Sequence, residues 1–204
     1  MKSSNTRSHI LKNAAILFGD NGYHRTSITD IVTTSDVARG TFYLYFPNKR
    51  KIFDELIDSL LLRITSCIQT VDISPEATSP KKQLVDNLVR VFILLSEERH
   101  MLSILLKGAV GLDKETDLKL TNFYTEILRA IENSLILGQQ LKLVRIFNTK
   151  IAAIVATGAV KEILLTLLHN DNSIETSEDE IREYAIAILD IFTKGVLKEG
   201  VSIP

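Results

Sequence analysis

Cysteine occurs once among the 204 residues, at Cys67. Neither an intramolecular disulfide nor a cysteine-built zinc site is open to such a chain. The four histidines, His9, His24, His100 and His169, never fall at H-x-x-x-H spacing, and there is no G-x-S-x-G elbow or phosphate-cradling glycine loop. Hydrolytic, metal-dependent and nucleotide-dependent chemistry lack their usual residues, so we expect no enzyme, no metal and no cofactor. No long apolar run exists either. The longest stretch without a charged side chain, Ile151 to Val160, is ten residues, against about 20 for a membrane span. The segment MKSSNTRSHILKNAAILF has no apolar signal core with a small-residue cleavage site, which reads against secretion and predicts a cytoplasmic protein. Tryptophan is absent, and only 4 Pro and 9 Gly punctuate the chain. With so few breakers, long regular elements are expected. Hydrophobic residues at 45% and charged residues at 24% exclude intrinsic disorder.

The near-zero net charge of −1 conceals a separation. Residues 1–51 hold eight basic side chains (Lys2, Arg7, Lys12, Arg25, Arg39, Lys49, Arg50, Lys51) against Asp20, Asp30 and Asp36, a net of +5. The remainder holds 16 basic and 22 acidic side chains, a net of −6. Such asymmetry marks either a nucleic-acid-binding segment or an uneven solvated surface.

Apolar residues recur at the helical period throughout, so the fold class is all-α, with about nine helices. A first helix is predicted over Ser4–Asp20, with Ile10, Ala14, Leu17 and Phe18 inward and Asn21-Gly22 as its stop. Thr26 or Ser27 caps a short second helix to Thr34, and Ser27 with Asp30 has capping-box spacing. A turn at Ser35-Asp36-Val37 leads to a third helix, Ala38–Tyr45, closed by Pro47. Asn48 caps a long fourth helix, Lys49–Val71, which would hold Cys67 as a small core residue. Further helices are predicted at about 80–96, 98–108, 114–138, 148–170 and 178–199, the last ending near Gly195 and Gly200.

Two short helices joined by a tight turn have the size of a helix-turn-helix, whose second helix lies in the DNA major groove. On the third helix Val37, Phe42 and Phe46 are placed to pack inward. The other face carries Arg39, Gly40, Thr41, Tyr43, Leu44 and Tyr45. A helical Gly costs about 1 kcal/mol against Ala, which close approach to a base edge or phosphate would explain. Tyr and Thr hydroxyls suit phosphates, Leu44 suits a thymine methyl, and Arg39 suits a guanine edge. Ser27 and Thr29 are placed for the other wall of the groove, and Lys49 for a phosphate at the start of the fourth helix.

The run Ala14-Ala15, Leu17-Phe18, Gly22-Tyr23, Thr26-Ser27-Ile28, Asp30-Ile31 and Val37 through Lys49 resembles the DNA-binding domain of TetR-family transcriptional regulators. The resemblance covers about residues 7–55, and beyond it only the helix lengths and order agree. It implies a DNA-binding domain at 1–48 and an effector-binding and dimerisation domain at 49–204. It also implies DNA contacts by Ser27, Thr29, Arg39, Gly40, Thr41, Tyr43, Leu44, Tyr45 and Lys49. A homodimer bound to a palindromic operator, and released by a small molecule, is the implied mode of action.

In the longer domain, Ile151, Ile154, Val155, Gly158, Ile163, Leu164 and Leu167 on one late helix exceed a single core stripe. With Tyr184, Ile188, Ile191, Phe192 and Leu197 on the next they are a candidate dimer surface, intrachain packing being the alternative. Leu60, Ile64, Leu88, Phe92, Met101, Leu105, Phe123, Tyr124 and Ile127 are the candidate lining of a pocket for a hydrophobic effector. Arg99, His100, Lys107 and Asn122 are its polar candidates. A constitutive DNA-binding or nucleoid-associated protein of the same fold, without a small-molecule switch, is the competing reading.

Overall fold

The computed structural model describes residues 2–109, 111–142, 145, 148–169 and 177–194. Among them every regular element is helical. In order these are α1 (Lys2–Asn21), α2 (Ile28–Thr34), α3 (Arg39–Tyr45), α4 (Lys49–Cys67), α5 (Pro80–Glu97), α6 (Arg99–Ser103), α7 (Lys114–Gln140), α8 (Thr149–His169) and α9 (Glu178–Lys194). Two elements depart from the sequence expectation. The fourth helix ends at Cys67, not Val71. Beyond it the Arg90 Nε donates to the Cys67 carbonyl, and the Asn87 side chain bonds both the N–H and C=O of Gln69. Cys67 is half-buried at that helix end. The sixth helix stays α-helical only to Ser103 and continues as a π-helical turn, Ile104–Gly108. The ninth is described to Lys194, so Gly195, Leu197 and Gly200 lie outside the described residues, as do the side chains of Lys107 and Leu167.

The chain divides into two compact units, Met1–Ser66 with Leu94–Glu126, and Cys67–Ile93 with Ile127–Pro204. In the first, α1 closes at Gly22, whose φ of +85° a side chain would resist and whose N–H bonds the Phe18 carbonyl. Its core holds Ile10, Ala14, Phe18, Ile31, Phe42, Phe46, Ile52, Phe53 and Ile57, all buried. Each large apolar side chain there contributes about 1.5–3 kcal/mol. Phe53 gathers Phe18 (5.9 Å between ring centroids) and Tyr23 (4.8 Å) into one aromatic cluster. α6 sits directly on α1: a Cβ added at Gly19 would lie 2.8 Å from the His100 Cβ and 2.9 Å from its carbonyl oxygen. The Ser103 hydroxyl donates to the Gly19 carbonyl (3.2 Å), and His100 Nδ1 meets Asp20 (3.0 Å). Arg50 ties the start of α4 to Asp54, Asp113 and Thr116.

The second unit buries Val85, Val89, Phe92, Ala153, Leu164, Ile181, Ala185 and Ile188. Ion pairs Lys81–Asp190 (2.5 Å) and Arg182–Asp86 (3.0 Å) link α5 to α9.

Candidate nucleic-acid interface

The turn between α2 and α3 is built from local chemistry. Ser27 caps α2 as its spacing predicts: its Oγ accepts from the Asp30 N–H (3.1 Å), and its own N–H donates to the Asp30 carboxylate (2.7 Å). Those bonds hold the Asp30 carboxyl below the ordinary carboxylate range. Thr26 is buried, its hydroxyl donating to the carbonyls of Leu17 and Gly22. Asp36, at φ +49°, carries the reversal into α3.

α3 is seven residues long and its N-cap, Ala38, has no side-chain bond to give. It is seated from its inner face, by Phe42 and by Phe46 at its C-cap, both buried with rings 6.2 Å apart. Val37 is half-buried beside the turn. Seating α3 this way turns the other face out. Arg39 and Gly40 are exposed, Thr41 and Tyr45 half-buried, Tyr43 44% exposed and Leu44 83% exposed. The Tyr43 ring stands edge-on against Phe42 (5.4 Å, 88°), which fixes its outward direction. A Cβ at Gly40 would meet nothing within 4 Å, so packing inside the chain does not require glycine there. Ser27 and Thr29 are exposed at the start of α2, although the Ser27 hydroxyl is already engaged as a cap.

The basic residues divide into two sets. Lys49, read from sequence as a phosphate contact, turns its ammonium into the protein. It donates to the carbonyls of Tyr23 and Thr26 (2.7 Å each) and lies 4.2 Å from the Tyr23 ring centroid. Partial burial lowers its pKa, against the opposing pull of Asp30. Its primary contacts are therefore a bolt between α4 and the turn after α1, a use the charge count did not reveal. Burial likewise raises the Tyr23 hydroxyl above its ordinary value. Arg50 is taken up by the acids around α7, and Arg7 by Glu55 on α4. Arg39 and Lys51 make no ion pair among the described residues and face outward. The fastening roles of Arg7, Glu55 and Tyr23 were not legible in the sequence, because nothing in their spacing tells an internal contact from a surface one.

The other candidate residues fall as follows. Leu60, Ile64, Met101 and Leu105 are buried in the first unit, where His100, Phe123 and Tyr124 are half-buried and Arg99 and Asn122 exposed. Burial raises the Tyr124 hydroxyl. In the second unit Phe92 is buried and Leu88 and Ile127 half-buried. A cleft of about 290 Å³ in that unit is lined by Gln69, Thr70, Asp72, Ala77, Thr78, Gln83, Asp86, Asn87 and Arg90, none of them in the expected apolar lining. On α8, Ile151, Ile154 and Val155 are 58%, 52% and 54% exposed, and Gly158 is exposed with open space where a Cβ would stand. Ile191 on α9 is also exposed, Tyr184 and Phe192 half-buried. Leu164 and Ile188 differ from expectation: both are buried within the chain itself, because they point into the core of the second unit, and so offer no surface to a partner.

Residues 10–56 match the family model described as bacterial regulatory proteins, tetR family. The fatty acid metabolism regulator protein of Bacillus subtilis is 28% identical over 167 residues, which cover 79% of this chain and 83% of that one. The fold matches the TetR family transcriptional regulator PfmR from Thermus thermophilus, with TM-score 0.73, 21% identity and coverage of 93% and 96%. It also matches the transcriptional regulator FadR from Bacillus subtilis, solved in complex with stearoyl-CoA, with TM-score 0.69, 21% identity and coverage of 93% and 99%.

Proposed function

We propose that this chain, whose residues 10–56 match the tetR family of bacterial regulatory proteins and whose fold is that of such regulators, is a dimeric repressor that reads a palindromic operator with α3 and is released by a long-chain acyl thioester. The observation that carries the DNA reading is the outer face of α3. A seven-residue helix that holds Leu44 83% exposed beside Gly40 and Tyr43 has a face unsuited to water alone. It suits a groove that offers methyl groups and phosphates. Arg39, Gly40, Thr41, Tyr43, Leu44 and Tyr45 are the base and phosphate contacts, with Ser27 and Thr29 on the opposite wall. Lys49 presents its remaining donor only after serving the Tyr23 and Thr26 carbonyls.

The exposed apolar residues of α8 and α9 are the dimer surface, and Gly158 lets a second helix approach. Two-fold pairing puts the two reading helices about 34–36 Å apart, one DNA turn, or a little more. Division of labour follows the sequence boundary, with 1–48 as reading head and 49–204 for effector and dimer. A hydrophobic effector is the reading made for the longer domain, and the stearoyl-CoA held by the Bacillus subtilis regulator is a molecule of that class.

In vitro selection with the full chain should recover an inverted repeat. Affinity for it should fall by about 10³–10⁵ between 50 and 200 mM salt if six to ten phosphates are neutralised. Stearoyl-CoA should release the duplex, while free CoA and stearate should release it less. Recovery of no duplex would remove the DNA reading. Release by none of the three probes would favour a constitutive DNA-binding protein of this fold.

A further inference from the structure

Arg7 is one of the eight cations of the basic segment and its side chain is 42% exposed, so by charge alone it belongs with the phosphate contacts. Its geometry says otherwise. Both terminal nitrogens face one carboxylate, Nη1 to Glu55 Oε1 (2.6 Å) and Nη2 to Glu55 Oε2 (2.5 Å). The guanidinium carbon stands 4.9 Å from the centroid of the Phe46 ring. Phe46 closes α3, is almost fully buried, and with Phe42 seats that helix. The first turn of α3 has no side-chain cap, so its seating rests on Phe42 and Phe46. Arg7 therefore joins α1, the end of α3 and α4 through one planar group. A fork that satisfies a carboxylate bidentately while stacking on a ring is a constraint that an ammonium does not reproduce.

We propose that Arg7 is a positioning residue of the reading head: through Phe46 and Glu55 it sets the seat of α3, and it takes no phosphate itself. This rests on the operator-binding reading above. The two roles differ in what they do to specificity and to salt dependence. A lost phosphate contact weakens every duplex and flattens the salt slope by about 0.9 per contact. A mis-seated reading helix weakens the cognate duplex and leaves the electrostatic part intact.

The test uses the full chain, the duplex recovered by selection with the wild type, and a scrambled duplex of equal length. Binding is read by fluorescence anisotropy across a salt series, with thermal melts of the same samples. Arg7→Lys keeps the charge and Glu55→Gln removes a negative one. Both should nevertheless cut the cognate-over-scrambled ratio about tenfold, with unchanged salt slopes, and Arg7→Ala should do the same. The proposal is overturned if Arg7→Ala weakens both duplexes alike with a flatter slope, if Glu55→Gln strengthens both, or if all variants bind as wild type. Should Arg7→Ala fail to fold, Arg7→Lys and Glu55→Gln decide. Failure of the wild type to select any duplex overturns the operator reading and this role together, whereas failure at the variant stage removes only the role of Arg7.

Discussion

Leu44 and Lys49 lie five residues apart, yet the structure gives them opposite duties. Leu44 has almost no intrachain contact to lose, so Leu44→Ala should leave stability within about 0.5 kcal/mol while weakening operator binding. Urea melts and anisotropy on the same preparation check this pair of outcomes. Tyr43→Phe should behave alike, since the ring keeps its edge contact with Phe42 and only the outward hydroxyl goes. Lys49→Ala should instead lower stability by about 1–3 kcal/mol, because two carbonyls lose a charged donor and the Tyr23 ring loses its cation. Any loss of DNA binding in that variant therefore has to be read against its melt. An unchanged melting temperature for Lys49→Ala would mean that the bolt contributes nothing.

Among the elements, α2 and the contact of α1 with α6 make the clearest demands. Ser27→Ala removes the cap and should cost about 1 kcal/mol. The Asp30 carboxyl of the same box is held below its ordinary value by the Ser27 N–H and hydroxyl. In the second unit Asp86 is held low by Lys82 and Arg182. A carboxylate whose folded pKa lies below its unfolded one contributes stability above the unfolded value and loses it as pH falls through the folded value. The melting temperature should thus be flat from pH 7 to 5 and drop below about pH 4, and Asp30→Asn should make that drop shallower. Gly19 admits no side chain, because His100 backbone and Cβ atoms occupy the space. Gly19→Ala must push α6 away from α1 and should cost about 1–3 kcal/mol, visible as a lower urea midpoint.

For the whole molecule, two exposed helical glycines, Gly40 and Gly158, have no explanation within the chain and mark the two surfaces assigned to partners. The α8 surface is tested by Val155→Asp. This side chain is 54% exposed, so the substitution should spare the fold, while sedimentation should report monomer and operator affinity should collapse. A dimer that persists in Val155→Asp would move the interface elsewhere. The charge ledger also reads differently at this scale. Of the eight cations in residues 1–51, Arg7, Lys49 and Arg50 are committed to partners inside the protein. The positive field of this segment is therefore weaker than its formal +5.

How much was readable in advance follows from the range of each interaction. Helix period, the Ser27–Asp30 box, the Gly22 stop and the inward pair Phe42 and Phe46 are local, so the sequence alone placed the helices and the outward face of α3. The early end of α4 depends on Arg90 and Asn87, more than fifteen residues away, and no local signal carries that. The π-helical turn after Ser103 also escaped the pattern, since apolar spacing over so short a run does not tell an α turn from a wider one. Whether Leu164 and Ile188 face a core or a partner, and whether Arg7 and Lys49 face DNA or a carboxylate and carbonyls, are questions of tertiary neighbours. A side chain's type fixes which partner it can take, and only the fold decides which partner comes within reach.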